Sequence, residues 1–468
     1  MPPIFWGKSF DTDFTLAAGA GVITNGLNGL VAMTPNVTPR TYTIDEDIVF
    51  ANHQHWRISN NGTAVVTLDV TGTLSDNDAP CDLVFQGEGM LRLSGNNTYR
   101  GKTTVVSTGV VEITHGNALG SADGATEIRN GGYLCIEGGS GITVAEPFII
   151  GGEGILTGCG WHGAIRNVTG SNVLTGKITA HGGRIRALAG SPLELTGGAD
   201  GSALVYTAVE NAWIRISGKP VSTTRVTCHV GGGGVIFAVA GNTISEMFTG
   251  GHFVRFDVPN AFLPTMSLQQ GSAGGQDSYV DLNGHDQVIG TFSTGTVSGY
   301  TRILFSVEPA TLTINQNADR VHSGNITGAV SIVKLGTGSL LFTGAHTTSG
   351  SFSVSNGVLA VGDTGTFGNN STNIAVGGSG TLLLSNSVAI ADAVIVQMPP
   401  QGVGTAKIQM ADGVDERVGW LYYGDKMQRA GTYGSSDSSA YYKDNTRFAG
   451  KGVLRVLHDD AGTLFLLR

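Results

Sequence analysis

Several residue groups in this chain of 468 residues have the types and spacing for chemistry. Gly160-Trp161-His162-Gly163 sets a histidine in a glycine-bounded turn, and Arg184-Ile185-Arg186 offers two guanidinium groups on alternate positions. They come nearest to the histidine and basic elements of a polysaccharide-cleaving site, and neither element is complete. Such a site also needs two carboxyl groups held roughly 5–10 Å apart. No acidic pair stands near either element in the sequence. Trp161 and His162 are therefore expected in a turn outside the core, and no catalytic residue is assigned.

Two acidic clusters could hold a cation. Asp76-Asn77-Asp78 has alternate oxygen ligands but lacks the glycine at position six and the glutamate at twelve of a calcium loop. It reads as a solvated turn. Asp45-Glu46-Asp47 precedes His53-Gln54-His55, whose histidines share one face of an extended strand, and no third ligand is clear. Gly231 to Gly234 lacks the Lys-Ser/Thr of a phosphate loop and reads as a corner. The expectation is a chain with no metal, no cofactor and no enzymatic activity.

Composition narrows the elements available to carry these groups. Glycine is 72 of 468 residues, proline only 13, and charged residues are 13%. Scarce Glu, Lys and Arg with abundant Gly argue against long helices. Glycine without a period of three excludes collagen. A net charge of −9 argues against nucleic acid as a partner. Cys81, Cys135, Cys159 and Cys228 show no CxxC or zinc spacing, so free buried thiols are expected. No apolar run is long enough to span a bilayer; the best, Val388 to Val396, contains Asp392.

Short apolar alternations recur between Gly, Asn and Asp, as in Thr63 to Val70, Lys102 to Val106 and Thr381 to Leu384. That rhythm predicts strands and tight turns. In Met90-Leu91-Arg92-Leu93 the two leucines face in and Arg92 faces out. The chain also repeats itself. Gly87, Gly89, Leu91, Gly95, Thr98, Gly101 and Val105 match Gly336, Gly338, Leu340, Gly344, Thr347, Gly350 and Val354, and Gly109-Val110 matches Gly357-Val358. Glycine at each corner permits positive φ and close backbone approach, and Asn96-Asn97 suits a left-handed turn. Inward apolar residues would stack from coil to coil. The predicted fold is all-β, a right-handed parallel β-helix with aromatic-rich capping modules at both ends. Its expected division is a cap or attachment arm over 1–60, the β-helix over 61–405 and a C-terminal cap over 406–468.

The segment Gly87 to Gly109 resembles the autotransporter-associated β-strand repeat, a passenger-domain motif of bacterial surface β-helices. Val280-Asp-Leu-Asn-Gly-His-Asp-Gln-Val-Ile-Gly290 is similar to the LDLNGHxxxIGxL stretch found between such repeats. Ala411 to Val414, Ala430 to Gly434 and Phe448 to Val456 resemble the C-terminal module of large repeat proteins from Verrucomicrobia and Planctomycetes. The resemblance implies a β-helix displayed at a bacterial surface. The first residues, with Asp11 and Asp13 before a short stretch broken by glycine, do not read as a secretory signal, and no membrane barrel is expected after the repeats.

That departure turns the first functional expectation toward a bacteriophage. The chain is expected to be a structural virion protein, a head decoration, fibre or tail spike, made in the host cytoplasm. Its partners would be other virion proteins, copies of itself and host surface glycans, without membrane insertion. Phe5, Trp6 and Phe10 are the expected attachment residues. The alternative is an autotransporter-type adhesin or matrix protein at the bacterial surface. A polysaccharide lyase or hydrolase is a third class.

Overall fold

The computed structural model of the chain describes residues 4–7, 14–16, 19, 23–25, 30–34, 38–60, 64–77, 79–129, 131–154, 156–157, 160–161, 163–229, 232–251, 253–271, 277–368 and 370–459. Every regular element among them is a strand, and strands of successive coils pair in parallel as a β-solenoid of the right-handed type. Contacts gather the chain into two units, Met1–Val239 and Ala240–Arg468.

In the first unit one ladder runs through Leu30–Thr34, Gln54–Asn60, Leu83–Gly87, Thr103–Val106 and Thr126–Ile128. A second runs beside it through Arg40–Ile44, Val66–Val70, Met90–Leu93, Val110–Ile113 and Tyr133–Glu137. Alternation decides which residues enter the core. Tyr42, Leu68, Leu91, Val111, Leu134, Ile165, Ile185 and Tyr206 form one column of register partners. All eight are fully buried. Each such side chain contributes about 1.5–3 kcal/mol.

The second unit repeats the plan. Leu340, Leu359, Leu382 and Ile408 are stacked partners, fully buried, and Phe448 follows on the strand Phe448–Gly450. Its last strands depart from parallel pairing: Gly431–Gly434 runs antiparallel to Val453–Val456. Tyr433 stacks on Tyr442 there at 4.7 Å, and Arg447 lies 4.2 Å above the Tyr423 ring.

Coil-to-coil distance, more than turn geometry, explains the repeated glycines. A Cβ on Gly95 would lie 2.2 Å from the Gly72 carbonyl oxygen, and one on Gly344 would lie 2.1 Å from that of Gly324. Gly101 and Gly350 meet the carbonyls of Cys81 and Val330 in the same way, both at 2.1 Å. The asparagine expectation needs correction. Neither Asn96 nor Asn97 has positive φ; Ser107 and Thr108 do. Asn97 acts through its side chain. Its Oδ1 accepts from the Leu74 amide at 2.8 Å and its Nδ2 donates to the Ala118 carbonyl at 2.6 Å, tying three coils together.

Candidate functional site: an outward groove in the second unit

The residues that looked chemical in sequence are spent mostly on joining coils. Asp76 is no solvated turn: its carboxylate takes the Arg100 guanidinium at 2.9 Å and the Arg100 amide at 2.7 Å. Asp45 accepts from Thr71 Oγ1 at 2.6 Å, and Asp47 from the Thr73 amide at 2.7 Å. His53 and His55 do face outward, flanking buried Gln54. His53 Nδ1 accepts from the Asp82 amide at 3.0 Å. Among the described residues no group of His, Cys, Asp and Glu is arranged to hold a metal.

Gly160–Trp161 pairs antiparallel with Leu156–Thr157 as a short hairpin, and His162 lies outside the described residues. The hairpin's end comes close to the basic element: a Cβ on Gly163 would lie 3.3 Å from Arg186 Cβ. Arg184 is buried and binds Glu153 at 3.0 Å. Cys81, Cys135 and Cys228 are free and buried, and burial pushes the thiols of Cys135 and Cys228 up to about 12, so they are poor nucleophiles. Cys159 is outside the described residues. Phe5 and Trp6 lie on the strand Ile4–Gly7, which pairs with Leu30–Thr34. Their side chains, and Phe10 altogether, fall outside the described residues.

One concave feature was not singled out by sequence. It is a groove of about 510 Å³ on the outer surface of the second unit. Glu246 and Phe248 stand beside Ser267 and Gln269, and these beside Thr291 and Ser293, in parallel register. Val321 and Leu341 pair farther along. The lining therefore combines hydroxyl, amide and charged groups with the apolar side chains of Phe248, Val321 and Leu341, in steps of about 4.8 Å per coil. Ser267 Oγ and Thr291 Oγ1 share a hydrogen bond of 2.6 Å. Asp319 accepts from the Ser339 amide at 2.8 Å. That bond, with Arg320 adjoining, holds its carboxyl below the usual carboxylate range.

Such a lining can hold a hydroxyl-rich ligand by its polar edges and pack the apolar faces. Its two acidic residues, Glu246 and Asp319, stand on or beside strands three ladder steps apart, about 14 Å at 4.8 Å per step. Small polar residues at outward positions are what any solvated strand shows. The signal was their recurrence on consecutive coils beside Phe248 and Leu341.

The two repeats set the family context. Leu83–Ile113 and Ile332–Val361 contain the aligned glycines and leucines, and in both the apolar position two residues after the shared leucine is fully buried, as Leu93 and Phe342. Both segments match one family. Residues 83–113 and 332–361 each fit the model of the passenger-associated-transport-repeat. No curated protein and no solved structure matches the chain. Two passenger repeats thus stand in two different units, each built into the ladders as ordinary coils.

Proposed function

We propose that this chain is a passenger-type surface protein of a bacterium, a β-helical adhesin or matrix component that binds glycan without altering it. The matched pair of passenger repeats carries the reading and favours it over the virion role expected first from the sequence. The groove supplies the ligand face: hydroxyl and amide groups of Ser267, Gln269, Ser293 and Ser339 for sugar hydroxyls, Phe248 and Leu341 for the apolar ring faces. Phe5, Trp6 and Phe10 remain candidate attachment residues under this reading.

Two measurements test it. Protease treatment of intact producing cells should remove the protein if it is displayed. Recovery in purified phage particles, with none on cells, would overturn the surface role. A glycan array should show binding that the Phe248→Ala, Leu341→Ala double variant loses. Equal binding by that variant would remove the groove from the proposal, and release of shortened glycan would make the protein an enzyme.

A further inference from the structure

The second unit buries two histidines in an aromatic stack. His322 lies face to face with Phe292, 4.0 Å between centroids, and meets the edge of Phe342 at 5.9 Å. His346 packs against Phe342 at 4.6 Å and parallel to Phe352 at 6.0 Å. Phe367 closes the cluster on Phe352 at 5.2 Å. Both imidazoles are fully buried.

Hydrogen bonds fix which nitrogen carries the proton in each. Gln270 Nε2 donates to the Ile303 carbonyl at 3.0 Å, so its Oε1 is the acceptor of the 2.8 Å bond from His322 Nε2. His322 Nδ1 is then bare, with no partner among the described residues. His346 Nδ1 accepts from the Ile326 amide at 3.1 Å, which leaves the proton on Nε2, also without a partner among the described residues. A second proton has no good place. On His322 it would point at nothing. On His346 it would displace the Ile326 amide and break a coil corner.

The charges around them offer no relief. Arg302 and His346 both disfavour a charge on His322. On the neighbouring strands, Lys334 is committed to the carbonyls of Gln316, Leu335 and Gly336. Arg320, Asp319 and Glu308 are exposed, and Asp319 is bonded to Ser339. The strands Thr291–Thr294, Ser339–Phe342 and Phe352–Val354 bring no charged residue.

We infer that the coils around His322 and His346 form an acid-sensitive seam, which opens on protonation while the first unit's repeat stays closed. The direction follows from linkage. Burial holds both imidazoles below their usual value, His346 down to about 3, so the folded coils bind fewer protons than the open ones below about pH 6.5. Stability is complete above that value and falls with pH down to about 3. At pH 5 His346 raises the opening equilibrium about 30-fold, before ordinary carboxyls titrate, and His322 acts in the same direction. This inference is independent of the glycan reading.

Hydrogen exchange on the full chain, read by mass spectrometry at pH 7.5 and pH 5 after correction for intrinsic rates, tests it. Peptides over 316–368 should gain opening by 30-fold or more, and those over 83–136 should not. His346→Asn, which installs the amide that Asn97 supplies at the matching position, should reduce the gain about 30-fold. The reciprocal Asn97→His should move acid sensitivity into the first unit. Equal pH response of the two regions in the wild-type chain would overturn the inference, whatever the variants do; so would an unchanged response in a folded His346→Asn protein.

Discussion

The two passenger repeats share an interior and differ outside. Leu91 and Leu340 occupy the same buried place, and Gly95 and Gly344 the same close approach to the preceding coil. One residue along, the copies part. Arg92 forms ion pairs with Glu112 and Asp69 across neighbouring coils, whereas Leu341, its counterpart, pairs with Val321 in the groove floor. Asn97 and His346 diverge similarly: each accepts a backbone amide from the preceding coil, but only the asparagine has its second polar atom satisfied by the Ala118 carbonyl. The repeat pattern thus specifies how a coil stacks and leaves its outer column open to a charge ladder or a binding surface.

The shared interior should respond alike in both copies, and most strongly. Leu91→Asp and Leu340→Asp each bury an unpaired carboxylate between coils, with an expected loss of roughly 5 kcal/mol or more. Chemical denaturation should find each unit unfolded or nearly so; a tolerated substitution in one copy alone would break the equivalence. Gly95→Ala and Gly344→Ala come next, at about 3 kcal/mol each, because a methyl cannot enter beside a carbonyl oxygen without separating the coils. Unequal losses would show that one corner can relax.

A smaller pH effect, in the opposite sense to the histidines, belongs to Glu146. Glu146, in the first unit, is buried, with Thr126 Oγ1 3.4 Å from Oε1 and Oε2 unpartnered among the described residues. Burial pushes its carboxyl up to about 8. The folded state therefore holds a proton that the unfolded state releases above about 4.5. Its stabilising effect is complete below that value and fades as pH rises toward 8. Glu146→Gln should gain about 2 kcal/mol on the wild type between pH 5.5 and 7.5, from about 1.4 kcal/mol per pH unit. Urea melts at the two pH values would check this; a constant difference would mean Glu146 is ionised throughout.

The smallest stability effect belongs to the outer column. Leu341→Ala should change stability by about 1 kcal/mol or less, since its side chain is only half-buried, and Arg92→Ala by about 2 kcal/mol, since it leaves the buried Glu112 carboxylate without its partner. Their contrast lies in binding: glycan titration should weaken for Leu341→Ala and stay unchanged for Arg92→Ala. Equal effects of the two would dissolve the distinction between ladder and groove.

The inward leucines, the glycine corners and the all-strand character were legible because burial alternates with period two and backbone contact admits no Cβ. Asn97 was visible as a corner residue but for the wrong reason: its residue type suits both a left-handed turn and a buried bridge, and only the neighbouring coils distinguish them. Asp76 misled similarly, since its ion-pair partner Arg100 is set by coil length. The groove was hidden because it assembles single residues from strands far apart in sequence, each unremarkable on its own strand.

The glycine contacts bear on mechanics. Gly95, Gly101, Gly344 and Gly350 each rest on the backbone of the coil before them, and the ladder hydrogen bonds run along the direction of stacking. Tension applied along that direction within a unit would load one row of bonds at a time. Each unit should therefore peel turn by turn under a modest, repeated force, dissipating a pull in small steps where a sheared sheet would fail all at once. A solenoid built this way yields gradually under load.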